Sequence, residues 1–415
     1  MDYFTYKSNQ LFAEDVAILD VIKQIPTPFY IYSAATLRHH VDVLEDALED
    51  TDHLIAFAVK TNSNLAVLEL LGECGLGADT VSVGEIKRAL RAGIDAQKIV
   101  YSGVAKTAED IRFALLNHIK QINVESENEL YVIEKVAQDL EQPAPIAFRV
   151  NPDVEAGTLK DITTGTKENK FGISLEKTER LYQYAHQSPY LETMGVATHI
   201  GSQIAEVEPF FHAWSVVADL IERLNEQGFD VPYFDLGGGL GIPYHDHEAH
   251  LLPKKWGEAA KQIQERTGCK IIVEPGRMIA GNAGLLISKV IYNKQGDGKE
   301  FVIIDAGMND LARPAIYKTE HSIIPIETKG LAKRKVDVVG PICESTDIFA
   351  KDYMLEAIDE GAFVAFRTAG AYGAVMSNTY NSRPLVAEIL TDGNNFHIIR
   401  NAMSIEDIMN LDILP

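Results

Sequence analysis

The sequence is short of cysteine and of basic residues, and each shortage excludes a class of protein. Its three cysteines, Cys74, Cys269 and Cys343, show no metal-like spacing, which argues against a disulfide framework and for a reducing, cytoplasmic compartment. Basic residues number 38 against 60 acidic ones, and the net charge of −22 opposes binding to nucleic acid and to anionic membranes. We therefore expect neither as a partner, and no metal site.

Long apolar runs are also absent. No stretch approaches the ~18 apolar residues of a membrane-spanning helix, and the first residues, "MDYFTYKSNQLFAEDV", lack the basic-then-apolar order of a secretory signal. The apolar share of 46% still permits large cores. Because 415 residues exceed what a single core usually holds, we expect a cytoplasmic globular protein of two domains.

Short apolar runs of strand character recur along most of the chain. The runs "IAFAVK", "GADTVS", "IVYSG" and "QINVES" begin 22 residues apart, at positions 55, 77, 99 and 121, and segments with helical periodicity separate them. Four more, "PIAFRVNP", "GVATHIGSQ", "YFDLGGG" and "KIIVEPGR", begin at 145, 195, 233 and 270. Eight alternating strand and helix units predict an α/β fold, a (β/α)8 TIM barrel over residues 35–280.

After residue 280 the pattern changes to β-branched runs separated by Gly, Asp and Asn, such as "FVIIDAG" and "KVDVVGP". This pattern predicts a C-terminal antiparallel β-sandwich or β-barrel domain over residues 281–415. The run "PFYIYS" at 28–33 precedes the first barrel unit and could be a strand of either domain. We assign it, with the rest of residues 1–34, to the C-terminal domain.

Six of the eight predicted strands finish on reactive or unusual groups. These are Lys60, Asp79 with Ser82, Arg149, His199, Gly237 to Gly239, and Glu274 with Arg277. The carboxyl ends of parallel barrel strands share one face, where the catalytic groups of such barrels lie. A single charge at a strand end could be solvated or paired, but six such ends predict an active site.

A lysine, a carboxylate and glycine loops at one barrel face suit pyridoxal phosphate. The Lys60 amine can condense with the cofactor aldehyde, Glu274 can keep the pyridine nitrogen protonated, and His199 can stack on the ring. Adjacent glycines can bring backbone N–H groups close to a phosphate, whereas a dinucleotide motif fails because Ile242 takes its third glycine position. Glu274 could instead form a structural salt bridge, and His199 could be a core histidine.

These residues belong to motifs that resemble those of the fold-type III pyridoxal-phosphate decarboxylases, most closely the diaminopimelate decarboxylases. The motifs, in order, are "FAVKTN", "DTVSVGE", "FRVNPD", "KFGI", "HIGSQI", "DLGGGLGIPY", "EPGR", "DAGMNDLARPAIY", "GPICESTD" and "GAYGAVMSNTYNSRP". The resemblance covers about residues 28–390. It implies decarboxylation of meso-2,6-diaminopimelate to L-lysine and carbon dioxide, the last step of lysine biosynthesis, by a homodimer with shared active sites.

The resemblance also implies the site residues. Lys60 would hold the cofactor, with Glu274 on its pyridine nitrogen, His199 on its face, and Asp79 and Arg149 in support. The phosphate would be bound by Ser202, Gly239, Gly276, Arg277 and Tyr372. The substrate would be bound by Arg277, Arg313, Tyr317, Glu344 and Tyr372. Cys343, which in the family comes from the partner subunit, would protonate the carbon that has lost its carboxylate.

Two segments near the expected substrate site depart from the family's usual motifs, "LKDITTG" at 159–165 and "KTEHSI" after Tyr317. The sequence therefore leaves room for a related decarboxylase that acts on arginine, ornithine, carboxynorspermidine or a carrier-bound amino acid. Substrates without a second carboxylate would, however, leave Arg277 and Arg313 little to bind. A non-catalytic pyridoxal-phosphate regulator or carrier, and a cofactor-free barrel that binds a different phosphorylated ligand, are two further hypotheses.

Overall fold

The computed structural model describes residues 2–154, 170–245 and 250–415. The chain divides into two compact units. Unit 1 comprises Met1–His39, Pro243–Glu248 and Ile279–Pro415, and unit 2 comprises His40–Ile242 and Ala249–Met278. The divergent segment "LKDITTG" lies outside the described residues.

The strands are named in chain order. They are β1 Phe4–Lys7, β2 Gln10–Ala13, β3 Val16–Ala17, β4 Phe29–Ser33, β5 His53–Ala58, β6 Gly77–Thr80, β7 Ile99–Tyr101, β8 Gln121–Val124, β9 Ala144–Asn151, β10 Ile173–Ser174, β11 Leu191–Ala197, β12 Tyr233–Asp235, β13 Lys270–Val273, β14 Gly284–Gln295, β15 Glu300–Ile304, β16 Ile323–Pro325, β17 Lys333–Val339, β18 Ile348–Glu356, β19 Phe363–Phe366, β20 Ala387–Asp392 and β21 Asn395–Arg400.

The α-helices are named in the same way. They are α1 Ile18–Ile22, α2 Ala34–Leu48, α3 Leu65–Glu73, α4 Val83–Arg91, α5 Ala108–Leu116, α6 Glu127–Leu140, α7 Leu175–Gln187, α8 Glu208–Glu226, α9 Pro253–Thr267, α10 Arg277–Ala280, α11 Arg313–Tyr317 and α12 Ile405–Met409. Single 3-10 turns lie at Val59–Thr61, Ala96–Lys98, Ala374–Met376 and Tyr380–Ser382.

Unit 2 is a closed barrel of parallel strands with helices between them, as the sequence predicts. The strand order β9-β11-β12-β13-β5-β6-β7-β8 returns to β9, and the short β10 pairs in parallel with β9. Ala56, Val100 and Ile272 from three different strands pack against one another. The barrel interior is therefore filled at their level, and the polar groups that follow them along the chain lie at the carboxyl ends of the strands.

The barrel strands end earlier than the predicted runs do. The strand β5 ends at Ala58, so that Lys60 lies in the 3-10 turn that follows, and β13 ends at Val273, immediately before Glu274. Beyond the ladder the two segments still bind each other, since the Ala58 N–H donates to the Pro275 carbonyl at 3.0 Å. Asp79 and Arg149 lie within strands, and the other predicted site groups of the barrel follow them.

Unit 1 is mainly β-sheet. Its large sheet has the order β18-β17-β15-β14-β4-β20-β21, with β19 pairing both β14 and β16, and β1, β2 and β3 form a separate small sheet. Most pairs are antiparallel, in agreement with the predicted β domain, and two pairs, β15 with β17 and β4 with β20, are parallel. Parallel neighbours need long connections, and residues 305–332 between β15 and β17 provide one.

The N-terminal strand β4 lies inside the large sheet of unit 1, between β14 and β20. All five of its residues are buried. Phe29 and Ile31 face an apolar core that also contains Leu285, Ile287 and Ile389. Because a strand that is buried on both faces has a nearly continuous apolar run, "FYIYS" suits a central strand.

Candidate active site

Lys60 lies where the first barrel strand gives way to a 3-10 turn. Its Nζ donates to Asp79 Oδ2 at 2.9 Å, and its side chain is 35% exposed while that of Asp79 is fully buried. A Cβ added at Gly276 would lie 2.3 Å from the Thr61 Cγ2 atom, so only glycine lets the loop after β13 pack against this turn. The amine is therefore held by Asp79, and the turn that carries it is held by the neighbouring loop.

Glu274 is the first residue after β13 and is only 8% exposed. The Ser102 hydroxyl donates to its Oε1 at 3.2 Å. Burial first, and then the nearby Asp235 and Asp79, raise the pKa of the Glu274 carboxyl well above its usual range, against the lowering effects of Lys60 and Arg149. This carboxyl therefore keeps its proton to a higher pH than an exposed glutamate does.

One cavity joins these groups. It has a volume of about 380 Å³ and is lined by Lys60, Arg149, His199 and Glu274, among other residues. Its remaining lining residues are Val81, Ser102, Gly103, Val104, Asn123, Phe171, Ala197 and Thr198. Mixed apolar and convergent polar walls of this kind suit a small ring-containing ligand.

His199 follows the sixth barrel strand and is uncharged. The Gly238 N–H donates to its Nδ1 at 3.2 Å, so Nδ1 is an acceptor and the proton of the neutral ring is on Nε2. Burial, followed by the positive charges of Arg149 and Lys60, lowers the pKa of His199 well below its usual value. The ring can therefore stack on an aromatic ligand without carrying a charge.

Arg149 is fixed by a carboxylate that the sequence analysis did not single out. Its Nη1 donates to Glu125 Oε1 at 2.6 Å, and the Gly172 N–H donates to the other oxygen of Glu125 at 2.8 Å. The guanidinium also lies 4.7 Å from the centre of the Phe171 ring. Arg149 thus borders the cavity in a fixed orientation.

The three adjacent glycines are less available to an anion than their sequence suggests. The Gly237 N–H donates to Asp235 Oδ1 at 2.9 Å, and that of Gly238 is engaged by His199. Gly239 has φ +114°, and a Cβ there would lie 2.3 Å from the Gly201 carbonyl oxygen. Two of the three amides thus have protein acceptors, and Gly239 is the candidate for a phosphate contact.

Arg277 is the other candidate phosphate ligand of the barrel. It is buried and follows the "EPG" turn, and its Nη2 donates to the Ser202 hydroxyl at 3.3 Å. Guanidinium and hydroxyl groups are common phosphate ligands. The structure therefore brings these two predicted residues together.

In unit 1, Arg313 is surrounded by tyrosines. Its guanidinium carbon lies 5.4 Å from the ring centre of Tyr244, 5.6 Å from that of Tyr317 and 6.0 Å from that of Tyr372. Such packing attracts and orients the guanidinium. Tyr244, which lies in the motif "DLGGGLGIPY", was not among the predicted site residues.

Cys343 and Glu344 lie in a loop of unit 1 and are exposed. The Cys343 N–H donates to Asn381 Oδ1 at 2.9 Å, and the Tyr380 hydroxyl donates to Glu344 Oε2 at 3.4 Å. The buried Asp347 accepts from the N–H groups of Ile342 and Met308, both at 2.7 Å. The loop is therefore held by side chains that the sequence analysis did not name.

Two kinds of feature are absent from the described residues. No α-helix there is both long and apolar enough to cross a membrane. No group of three or more His, Cys, Asp or Glu side chains in that part of the chain could hold a metal ion.

Comparisons with known proteins agree with one another. The family model for the pyridoxal-binding domain of pyridoxal-dependent decarboxylases matches residues 34–281. The diaminopimelate decarboxylase of Vibrio cholerae is 44% identical over 421 residues, which cover 100% of both chains.

Two solved structures extend this likeness. The diaminopimelate decarboxylase of M. jannaschii in complex with L-lysine has a TM-score of 0.96 at 33% identity, covering 100% of this chain and 98% of that one. The enzyme of Helicobacter pylori, also complexed with L-lysine, has a TM-score of 0.92 at 39% identity, covering 95% and 98%.

Proposed function

Because this chain belongs to the diaminopimelate decarboxylase family of pyridoxal-dependent decarboxylases, we propose that it converts meso-2,6-diaminopimelate to L-lysine and carbon dioxide. Pyridoxal phosphate is its cofactor. The observation that carries the proposal is that the Lys60 amine and the buried Glu274 carboxyl line one cavity. In the cell the reaction is the last step of lysine biosynthesis.

The residues of this cavity fit pyridoxal phosphate. A volume of about 380 Å³ accommodates one substituted ring, and the cavity offers an amine for the aldehyde and a buried carboxyl for a basic ring nitrogen. When bound, the cofactor supplies an electron-accepting ring conjugated to the substrate nitrogen, which takes up the electrons of the broken C–C bond. Protein groups must then hold that ring and orient the bond that breaks.

The barrel residues serve the cofactor. Lys60 is the covalent attachment point, and its pairing with Asp79 keeps the amine directed while it is charged. Glu274 holds the ring nitrogen, and the neutral His199 supports the ring face. We assign the phosphate to Ser202, Gly239, Gly276, Arg277 and Tyr372.

The substrate has two amino-acid ends, and binding one orients the other for reaction. We assign the carboxylate of the unreactive end to Arg277, Arg313 and Tyr317, because a guanidinium fork matches a carboxylate. Tyr372 is a further substrate-binding residue, as the family resemblance implies. Glu344 receives the ammonium of the same end. Binding energy gained there is used to hold the reacting end in one geometry.

We further propose that the protein is a cytoplasmic homodimer in which Cys343 and Glu344 act at the active site of the partner subunit. The exposure of both side chains in the single chain supports this assignment. The Cys343 Sγ then delivers a proton to the carbon from which carbon dioxide has left. The three cysteines, which form no disulfide with one another, support a reducing compartment.

A substrate panel tests the proposal. Purified protein saturated with pyridoxal phosphate is given meso-diaminopimelate, lysine, ornithine or arginine, and carbon dioxide release is measured. We expect release from diaminopimelate and at most a trace from the others, and none from any substrate with Lys60→Ala. A preference for ornithine or arginine would reject diaminopimelate as the substrate. No carbon dioxide release from any of the four compounds would reject the decarboxylase activity itself.

A further inference from the structure

Asp235, at the end of the seventh barrel strand, belongs to a polar network that ends on Glu274. Asn123 Nδ2 donates to Asp235 Oδ2 at 3.4 Å and to the Ser102 hydroxyl at 3.1 Å, and that hydroxyl in turn donates to Glu274 Oε1. Gly237 closes the connection from the backbone side, because its N–H binds Asp235 and its carbonyl accepts the Glu274 N–H at 2.9 Å. All four side chains are buried.

A hydrogen bond from the Glu274 carboxyl lowers the pKa of Asp235, against the larger raising effect of burial. Two carboxyl groups can hydrogen-bond each other only when one of them carries a proton, because two carboxylates have acceptors but no donor. Close carboxyl pairs accordingly titrate as a unit, with the proton shared between them.

We propose that Asp235 is a positioning residue for the cofactor: it shares one proton with Glu274 in the cofactor-free protein and, once the ring nitrogen has arrived, stands as a second carboxylate behind Glu274. The inference rests on the proposed function, because it gives Glu274 the ring nitrogen as its partner. In this arrangement two negative charges face one protonated nitrogen. The nitrogen therefore keeps its proton to higher pH than Glu274 alone would allow.

The charged groups around the pair are consistent with this arrangement. Asp79 from β6 adds a further negative charge, whereas Lys60 and Arg149 lower the proton affinity of Glu274. Burial, against the bonds from Gly237, Glu274 and Asn123, raises the pKa of Asp235 to about 6. Lys60 forms an ion pair with Asp79, and Arg149 forms one with Glu125. The charge of each cation is therefore shared with a carboxylate outside the Asp235 and Glu274 pair.

Infrared spectroscopy of the full-length chain without cofactor tests the shared proton directly. At pH 7 we expect a protonated-carboxyl band that Glu274→Gln removes. Asp235→Asn should lower the pH midpoint of that band by about 1 to 3 pH units. Ser102→Ala is the control, since it removes a hydrogen bond to Glu274 without removing a charge and should shift the midpoint less.

Three results would overturn the proposal: no such band at pH 7, a band that survives Glu274→Gln, or a midpoint that Asp235→Asn leaves in place. Should Asp235→Asn not fold, the comparison of wild type with Glu274→Gln still decides whether Glu274 holds the proton. This experiment uses neither substrate nor turnover. Its failure is therefore distinct from failure of the decarboxylase assignment, which the substrate panel tests.

Calorimetric titration with pyridoxal phosphate, in two buffers of different ionisation enthalpy, tests the link to the cofactor. At a pH between the two infrared midpoints, the wild type loses the shared proton when the ring nitrogen binds, whereas Asp235→Asn has already lost it. We therefore expect the proton exchange of the two proteins to differ by about one proton per cofactor bound, the wild type releasing more. Equal proton exchange would contradict the proposed role of Asp235.

Discussion

Replacing Lys106 by methionine should destabilise the barrel more than replacing any exposed lysine. Lys106 and Glu129 form a buried pair, with Nζ 2.7 Å from Oε1 and side chains only 1% and 8% exposed. The same Nζ donates to the carbonyl of Asn123 at 2.8 Å and to that of Gly103. Methionine fills a similar volume but leaves these three acceptors without the donor.

The magnitude follows from this burial. Removing one partner of a buried pair costs about 3 to 5 kcal/mol of unfolding free energy, so we expect a loss in this range for Lys106→Met. The double variant Lys106→Met/Glu129→Leu should recover much of it, because no buried charge then remains unpaired. Lys135→Met is the matched control, since its pair with Asp139 is exposed and should be worth at most about 0.5 kcal/mol.

Denaturant unfolding followed by tryptophan fluorescence measures the effect in the barrel alone. The chain has two tryptophans, Trp214 and Trp256, and both are buried in unit 2. A loss below about 1 kcal/mol for Lys106→Met, less than the 3 to 5 kcal/mol expected of a broken buried pair, would refute the reasoning. So would a double variant less stable than the single one.

The remaining predictions concern catalysis. Cys343→Ala should cut turnover and leave the cofactor bound, and loss of cofactor would contradict its role. Mixing it with Lys60→Ala should restore up to about a quarter of wild-type activity if the sites are shared across a symmetric dimer, whereas no recovery on subunit exchange would argue against shared sites. Glu344→Ala should raise KM for diaminopimelate, and an unchanged KM would point to another substrate. Because the pKa of His199 is held well below its usual value, cofactor affinity should show no step from this residue as the pH falls through the ordinary histidine range. A step in cofactor affinity that disappears in the His199→Phe variant would contradict this prediction.

The sequence predicts the barrel because its strands are recognisable as short apolar runs. Parallel strands buried on both faces have nearly continuous apolar runs, and the constant spacing of the first four runs, from "IAFAVK" to "QINVES", reflects one repeated strand and helix unit. The two parallel pairs of unit 1 could not be predicted in this way. Whether β4 pairs in parallel with β20 depends on partners more than 350 residues apart, which no local pattern records.

The same distinction applies to the candidate site. Lys60 and Glu274 could be proposed from their positions after apolar strands, since a charge there is unusual enough to notice. Ser102, Asn123 and Asp235 could not, because small polar residues at strand ends are common and their partners lie on other strands. A signal did exist in "YSG", "INV" and "FDL", where a single polar residue stands within or directly after an apolar run.

Chemical trapping tests the central claim, that the Lys60 amine holds the cofactor in the cavity that Glu274 also lines. The protein is saturated with pyridoxal phosphate and reduced with borohydride, and its proteolytic peptides are identified by mass spectrometry. We expect the phosphopyridoxyl group on the peptide that contains Lys60, and its loss from that peptide in Lys60→Ala. The label on another lysine, or bound cofactor that leaves no label at all, would contradict the account.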